Sequence, residues 1–284
     1  MLPLVLCAAA AKAQGSPPAT DVFLAPLSMR AGLPTIGTPA PITSWRGYDN
    51  QPSFTPDGRS ILYTSVREDE QADIYRYDRT TRRATRVTRT NPESEYSAVV
   101  MPGGKRFSVV RVERDSTQRL WSFALDGSAP RVVIEQLKPV GYYAWVDATH
   151  VATFVLGRPN ALVVVDLTTG RADTLARNIG RSIARLPDGG GFSYVQLRDS
   201  TATLTAVRGG HASDLIALPR GAEDVAWLPS GGVLASSGAK IYAWTPGDAG
   251  WAVAADLASR GLSNVTRMAV SPDGRAIAIV AERR

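Results

Sequence analysis

The chain has 284 residues, 44% hydrophobic and 20% charged, a balance that supports a sizeable buried core and excludes a largely disordered protein. Its single cysteine, Cys7, lies near the start, so the rest of the chain has no disulfide, thiolate metal site or cysteine nucleophile. The net charge of +6 is modest, and its densest basic stretch (Arg76, Arg79, Arg82, Arg83, Arg86, Arg89) reads as a solvated hairpin edge, charged against sheet pairing, rather than as a nucleic-acid surface.

Residues 1–13 are apolar and then rich in small side chains, with Ala11 and Ala13 in the A-x-A arrangement that signal peptidase prefers. Cleavage is expected after Ala13, which makes the protein periplasmic or otherwise exported. The stretch lacks a basic leading region, which leaves open a gene start upstream of Met1, and it is too short for a transmembrane span. Cys7 would carry the lipid of a lipoprotein, but Leu6 stands where such signals have a small residue, so simple export is preferred. Residues 14–20 read as a short flexible linker. Next come two strand-like runs, 21–27 and 40–44.

From residue 46 onward a unit of about 43 residues recurs, marked by one turn. It appears as Thr55-Pro56-Asp57-Gly58, Met101-Pro102-Gly103-Gly104, Leu186-Pro187-Asp188-Gly189, Leu228-Pro229-Ser230-Gly231 and Ser271-Pro272-Asp273-Gly274, with a degenerate copy at Asp147. Proline presets the first corner, Asp bonds its own downstream backbone, and Gly takes the positive φ of the return. These residues are therefore structural, and mutating Asp57 or Asp273 should loosen a hairpin rather than abolish activity. Runs at 60–64, 107–110, 151–155, 192–195 and 276–280 are β-branched or aromatic and too short for helices. Third strands follow, as at 73–77 and 162–167, and fourth strands, as at 83–88 and 171–175.

Four strands in each of six units make an all-β, six-bladed β-propeller. The expected blades are 46–90, 91–136, 137–178, 179–220, 221–261, and 262–284 together with 21–45, one domain over 21–284. The last unit stops after two strands, and the two runs near the N-terminus supply the missing half. Two C-terminal and two N-terminal strands in one blade would leave no open edge at the seam.

At the Pro-Asp-Gly turns the repeat resembles that of TolB-type propellers, most clearly at 51–64 and 270–278. The resemblance covers 21–284 and implies the propeller half only, because TolB carries an additional α/β domain ahead of its propeller. It implies a protein-binding role in the bacterial envelope, and similar repeats also accompany peptidase and carbohydrate-active domains.

Catalytic signatures are scarce. His150 and His211, the only histidines, fall on turns of different blades and read as surface residues; no Gly-x-Ser-x-Gly elbow, Walker loop or dinucleotide fingerprint occurs. The acidic run Glu68-Asp69-Glu70 reads as a solvated loop tip. Trp145 and Trp227 fall on innermost strands and should pack between blades, whereas Trp251 should be the more exposed tryptophan.

The channel mouth is the default binding site, because the innermost strands converge there. Asp49, Glu95, Tyr142, Arg181, Glu223 and Asn264 lie at or near the starts of those strands. This mixed set suits a peptide or small polar ligand; a cation such as calcium held by the carboxylates and a merely water-filled channel are the alternatives. No cofactor or catalytic residue is assigned. The favoured expectation is a monomeric scaffold for an envelope protein or peptide segment. The alternative is a hydrolase or lyase acting on a carbohydrate or lactone, with channel carboxylates as acid and base.

Overall fold

A computed structural model of the chain describes residues 19–44, 47–67 and 70–283, which form six antiparallel sheets arranged as propeller blades. Named A to D from the channel outward, the strands of blade 1 are Asp49–Phe54, Ser60–Val66, Ala72–Asp78 and Arg83–Arg86. Blade 2 has Ser94–Val100, Arg106–Val112, Gln118–Ala124 and Arg131–Ile134, and blade 3 has Val140–Trp145, His150–Val155, Ala161–Asp166 and Ala172–Arg177. Blade 4 comprises Ile179–Arg185, Phe192–Arg198, Thr201–Arg208 and His211–Ala217; blade 5 comprises Val225–Trp227, Val233–Ser237, Lys240–Trp244 and Ala252–Asp256.

Blade 6 closes the ring. Its A and B strands, Leu262–Val270 and Ala276–Arg283, come from the C-terminus, and its C strand, Asp21–Arg30, from the N-terminus. The register runs from Asp21 opposite Ala281 to Pro26 opposite Ala276. Arg283 reinforces the seam, its Nε 2.7 Å from Asp21 Oδ2 and its Nη2 donating to Thr43 O at 3.0 Å. Thr20, within the expected linker, is already tied down, pairing with Tyr48 and donating through its hydroxyl to Asp49 O at 3.0 Å. The outer strand differs from the expected single run at 40–44. It is split into Leu33–Ile36, which pairs with the far half of the C strand, and Ala40–Pro41, which pairs with its near half. The cause is local: Ala31 and Gly32, both at positive φ, turn the chain straight back on the C strand before it can cross over.

The recurring turn behaves as its chemistry dictates. Gly58, Gly189 and Gly274 sit at φ 67°, 73° and 68°, and their N–H groups donate to Thr55, Leu186 and Ser271 carbonyls at 2.8–2.9 Å. Asp57, Asp188 and Asp273 accept from the N–H two residues on, at 3.0, 2.9 and 3.0 Å, while Pro56, Pro187 and Pro272 precede them at the first corner. The Thr55 and Ser271 hydroxyls, followed by those backbone donors, hold the Asp57 and Asp273 carboxyls below the ordinary range.

Each B strand is buried on both faces, so its alternate side chains feed two different blade interfaces. Ile61 and Tyr63 pack toward blade 6 and Leu62 toward blade 2; Ala278 and Val280 pack toward blade 1, and Ile277 and Ile279 toward blade 5. The core is accordingly divided into six clusters, one in each interface. Two tryptophans bolt neighbouring blades together: Trp145 Nε1 donates to Ser108 Oγ at 2.9 Å, and Trp227 Nε1 to Ser193 Oγ at 2.8 Å. Trp251 is less exposed than its place in the sequence suggests. It packs against Trp244, with ring centroids 6.2 Å apart, and donates to Ala217 O at 2.8 Å.

Candidate functional site at the channel mouth

The A strands surround a cavity of about 320 Å³ on the propeller axis. Counting five residues back from the first corner of each turn gives Gln51, Ser97, Tyr142, Ser182, Asp224 and Arg267, one per blade, and all six line that cavity. A simple alternating strand would not hold this level so consistently; bulges do. The A–B register slips between Asn50 and Ser53, Tyr96 and Val99, Val140 and Tyr142, Ile179 and Ile183, and Ser263 and Arg267. Gln51 and Ser97, at φ 57° and 56°, are the residues thrown out of register in blades 1 and 2.

The ring is wired between blades. Gln51 Oε1 accepts from the Ser97 N–H at 2.8 Å and from Thr64 Oγ1 at 3.0 Å. Tyr143 donates its hydroxyl to Ser97 O at 2.9 Å, and Ser182 Oγ accepts from the Val225 N–H at 3.2 Å. Arg267, from blade 6, lies over the ring of Tyr142 in blade 3, its guanidinium carbon 4.8 Å from the centroid. Those blades are opposite one another, so this cation–π contact crosses the channel. Asp224 stands 3.9 Å from Arg267, both side chains largely buried. Burial pushes the Asp224 carboxyl up, and Arg267 and Ser182 work against that rise. Tyr48 and Tyr96 stand close to Tyr142 at this end. Burial pushes the Tyr48 hydroxyl up to about 12 despite Arg267, and Tyr96 moves the same way, so both remain neutral donors at physiological pH.

The six residues expected at the mouth divide into three groups. Tyr142 and Arg181 line the cavity. Glu223, 69% exposed, pairs with Arg181 at 3.1 Å on the rim. Exposed Asn264, at φ 48°, donates to Glu282 at 2.7 Å and borders the adjoining crevice between blades 5 and 6 with Arg181 and Glu223. Asp49 and Glu95 do not reach the cavity lining. Both lie seven residues before the turn proline, ahead of the bulge, and strand alternation buries them inside blades 1 and 2. Asp49 lies 3.9 Å from Arg67, and burial raises its carboxyl against the opposing effects of Ser65 and Arg67. Glu95 accepts from Thr90 Oγ1 at 2.5 Å and lies 3.3 Å from Arg111 Nε; burial pushes it up to about 7.

Gln51, Ser97, Ser182, Asp224 and Arg267 escape a reading that takes whichever polar residue begins each strand. The constant offset of five from the turn is the signal that finds them, and it needs only the repeat alignment. His150 is half-exposed and pairs with Asp147 at 3.0 Å, while His211 begins an outer strand, exposed. In that degenerate turn, partial burial pushes Asp147 up, but hydrogen bonds from Thr149 and His150 outweigh it and hold the carboxyl at about 2. Among the described residues no group of three or more His, Cys, Asp or Glu is placed to hold a metal, and no helix is long and apolar enough to cross a membrane. Cys7, the Ala13 cleavage site, Trp45, Glu68 and Asp69 lie outside the described residues.

No family model and no curated protein matches the sequence. Solved structures match the fold. A putative TolB from Agrobacterium tumefaciens superposes with a TM-score of 0.71 at 14% identity, over 93% of this chain and 99% of that one. TolB from Acinetobacter baumannii gives 0.52 at 21% identity over 66% of this chain, which spans about half (49%) of that longer protein. A gluconolactonase from Xanthomonas campestris gives 0.64 at 8% identity, over 95% and 99% of the two chains. Six blades, a ring closed by N- and C-terminal strands in one sheet and these superpositions together establish a six-bladed β-propeller similar in fold to the TolB structures.

Proposed function

We propose that the protein is an exported scaffold of the bacterial envelope that holds a protein or peptide segment at its channel mouth without catalysis. The observation that carries this reading is the ring five residues before each turn. Gln51, Ser97, Tyr142 and Ser182 offer neutral hydrogen-bonding groups from four blades, and Asp224 and Arg267 add one charge of each sign. Such a set matches an extended peptide, which presents N–H and C=O groups at regular intervals and needs both donors and acceptors. Tyr48 and Tyr142 add rigid apolar surface with a polar tip, well suited to an interface. The likeness to TolB structures is consistent with this use, although it extends to the fold alone.

Immobilised folded protein is expected to retain one or a few proteins from envelope extract in a saturable manner, and Tyr142→Ala or Arg181→Ala should reduce that retention. No saturable capture would end this reading. A second reading is favoured by Asp224, a buried, upshifted carboxyl beside Ser182 in the channel, and by the likeness to a lactonase. Under it, Asp224 is the acid–base group of a propeller hydrolase or lyase. Turnover of a lactone or oligosaccharide panel that disappears in Asp224→Asn would establish it in place of the first.

A further inference from the structure

We infer that the channel selects a carboxylate, taken by Arg267 together with Arg181; this rests on the peptide-binding reading and specifies which part of the peptide enters. Among the charged residues lining the cavity, three arginines (Arg181, Arg185 and Arg267) face a single carboxylate, Asp224. Arg185 is exposed and close to the Leu186 turn, toward the far end of the channel, which leaves Arg181 and Arg267 at the mouth end.

Arg267 is the unusual group. Its side chain is only 14% exposed, yet its carboxylate neighbour, Asp224, stands 3.9 Å away, beyond direct hydrogen-bond reach. Tyr142 covers Arg267 with its ring, 4.8 Å from the guanidinium carbon, and takes part of its N–H capacity with the tyrosine hydroxyl. A guanidinium has five N–H donors, and one held this far from bulk water beside a tyrosine and a carboxylate 3.9 Å away has capacity left for another acceptor in the cavity. Arg181 repeats the pattern on the rim: its Nη2 reaches Glu223 at 3.1 Å, but its Nε is buried and without a partner. The hydroxyl of Thr266, in the crevice that Arg181 also borders, is likewise buried and unpartnered.

The chemistry narrows the ligand. A planar two-oxygen anion matches the edge of a guanidinium and accepts two parallel N–H bonds. Charge then discriminates among anions. Counting Glu223, which pairs with Arg181 on the rim, the three arginines of the cavity exceed the two carboxylates by one, so one further negative charge balances them, whereas a phosphate dianion would leave an excess beside Asp224. In a peptide, the carboxylate is either the C-terminal group or an Asp or Glu side chain.

The test uses three peptides in calorimetric titrations of the folded protein: acetyl-Ala-Ala-Ala as free acid, the same peptide as amide, and acetyl-Ala-Glu-Ala amide. Saturable binding is expected for at least one acid and not for the neutral amide. Binding of the free acid alone assigns the C-terminal group, and binding of the glutamyl peptide alone assigns the side chain. Arg267→Gln on its own would strand Asp224, so the informative variant is Arg267→Gln with Asp224→Asn, its fold checked by circular dichroism. It should weaken acid binding by about tenfold or more, the usual worth of a charge-assisted bond in a partly buried site, and Arg181→Ala by less. Equal binding of acid and amide, no saturable binding of either acid, tighter binding of inorganic phosphate, or unchanged affinity in the double variant would overturn the inference. An envelope partner captured equally well by the double variant would overturn carboxylate selection and leave the scaffold reading intact. Carboxylate binding with no captured partner would do the reverse.

Discussion

Closure of the ring by residues near both ends makes Phe23 an energetic keystone, and Phe23→Ala is its sharpest test. Phe23 is 4% exposed, lies opposite Ile279 across the seam, and packs in the blade 5–6 interface with Ile277, Leu234 and Leu257. Arg283 also covers its ring, 5.6 Å from the centroid. Truncating a buried Phe to Ala costs about 3–5 kcal/mol, from lost transfer energy plus the cavity left behind. For a domain of this size about 1 kcal/mol moves Tm by roughly 2–4 °C, so a fall of about 10 °C is expected by calorimetry or circular dichroism. Leu33→Ala, at an exposed site on the same N-terminal segment, serves as the control and should change stability by less than about 0.5 kcal/mol. Limited proteolysis should also begin earlier around residues 37–39 in Phe23→Ala, because loosening the C strand frees the split outer strand paired to it. If Phe23→Ala costs less than about 1 kcal/mol, the N-terminal strand does not hold the ring shut and the closure argument fails.

Three further outcomes follow from the geometry. Glu95 has a folded pKa raised from 4.5 to about 7, so the folded protein binds its proton more tightly than the unfolded chain. Its contribution to stability is complete below about 4.5 and is lost as pH rises through 7; urea midpoints should fall between pH 5 and pH 8, by an amount worth up to about 3 kcal/mol, and Glu95→Gln should flatten that slope. An identical slope in Glu95→Gln would show that another group titrates. Gly274→Ala places a Cβ at φ 68° with only an ordinary contact to Pro229 at 3.6 Å, so backbone strain alone should lower stability, by about 1–2 kcal/mol in chemical denaturation. Trp145→Phe keeps most of the packing but removes the bond to Ser108 Oγ, and should cost about 1–2 kcal/mol with an unchanged denaturant m-value. A negligible change would mean that this bond does not couple blades 2 and 3.

Much of the architecture is local, and so it was readable before any coordinates. The Pro-Asp-Gly corners are dictated by three neighbouring residues and recur at a near-constant spacing, so the blade number follows from counting them. The β-branched runs after each corner specify strands buried on both faces, which is why Ile277 and Ala278 can serve different interfaces. Even the ring closure is legible, because half a blade at one end matches half a blade at the other.

What faces the channel is a different kind of property. Whether Asp49 or Gln51 looks into the cavity depends on a bulge in the pairing of two strands, and bulges arise from inter-strand hydrogen bonding that no single strand encodes. Asp49 and Glu95 therefore carry the right chemistry for a binding site yet lie buried within blades 1 and 2, while Arg267 and Asp224 meet in the channel from separate blades. The cross-channel contact between Arg267 and Tyr142 joins residues more than a hundred positions apart, placed opposite each other only because six blades make a full turn. The repeat, the turns and the seam follow from residue order, since they depend on near neighbours and on matching ends. Which side chains share the cavity rests instead on register and ring geometry, and these exist only once the blades have assembled.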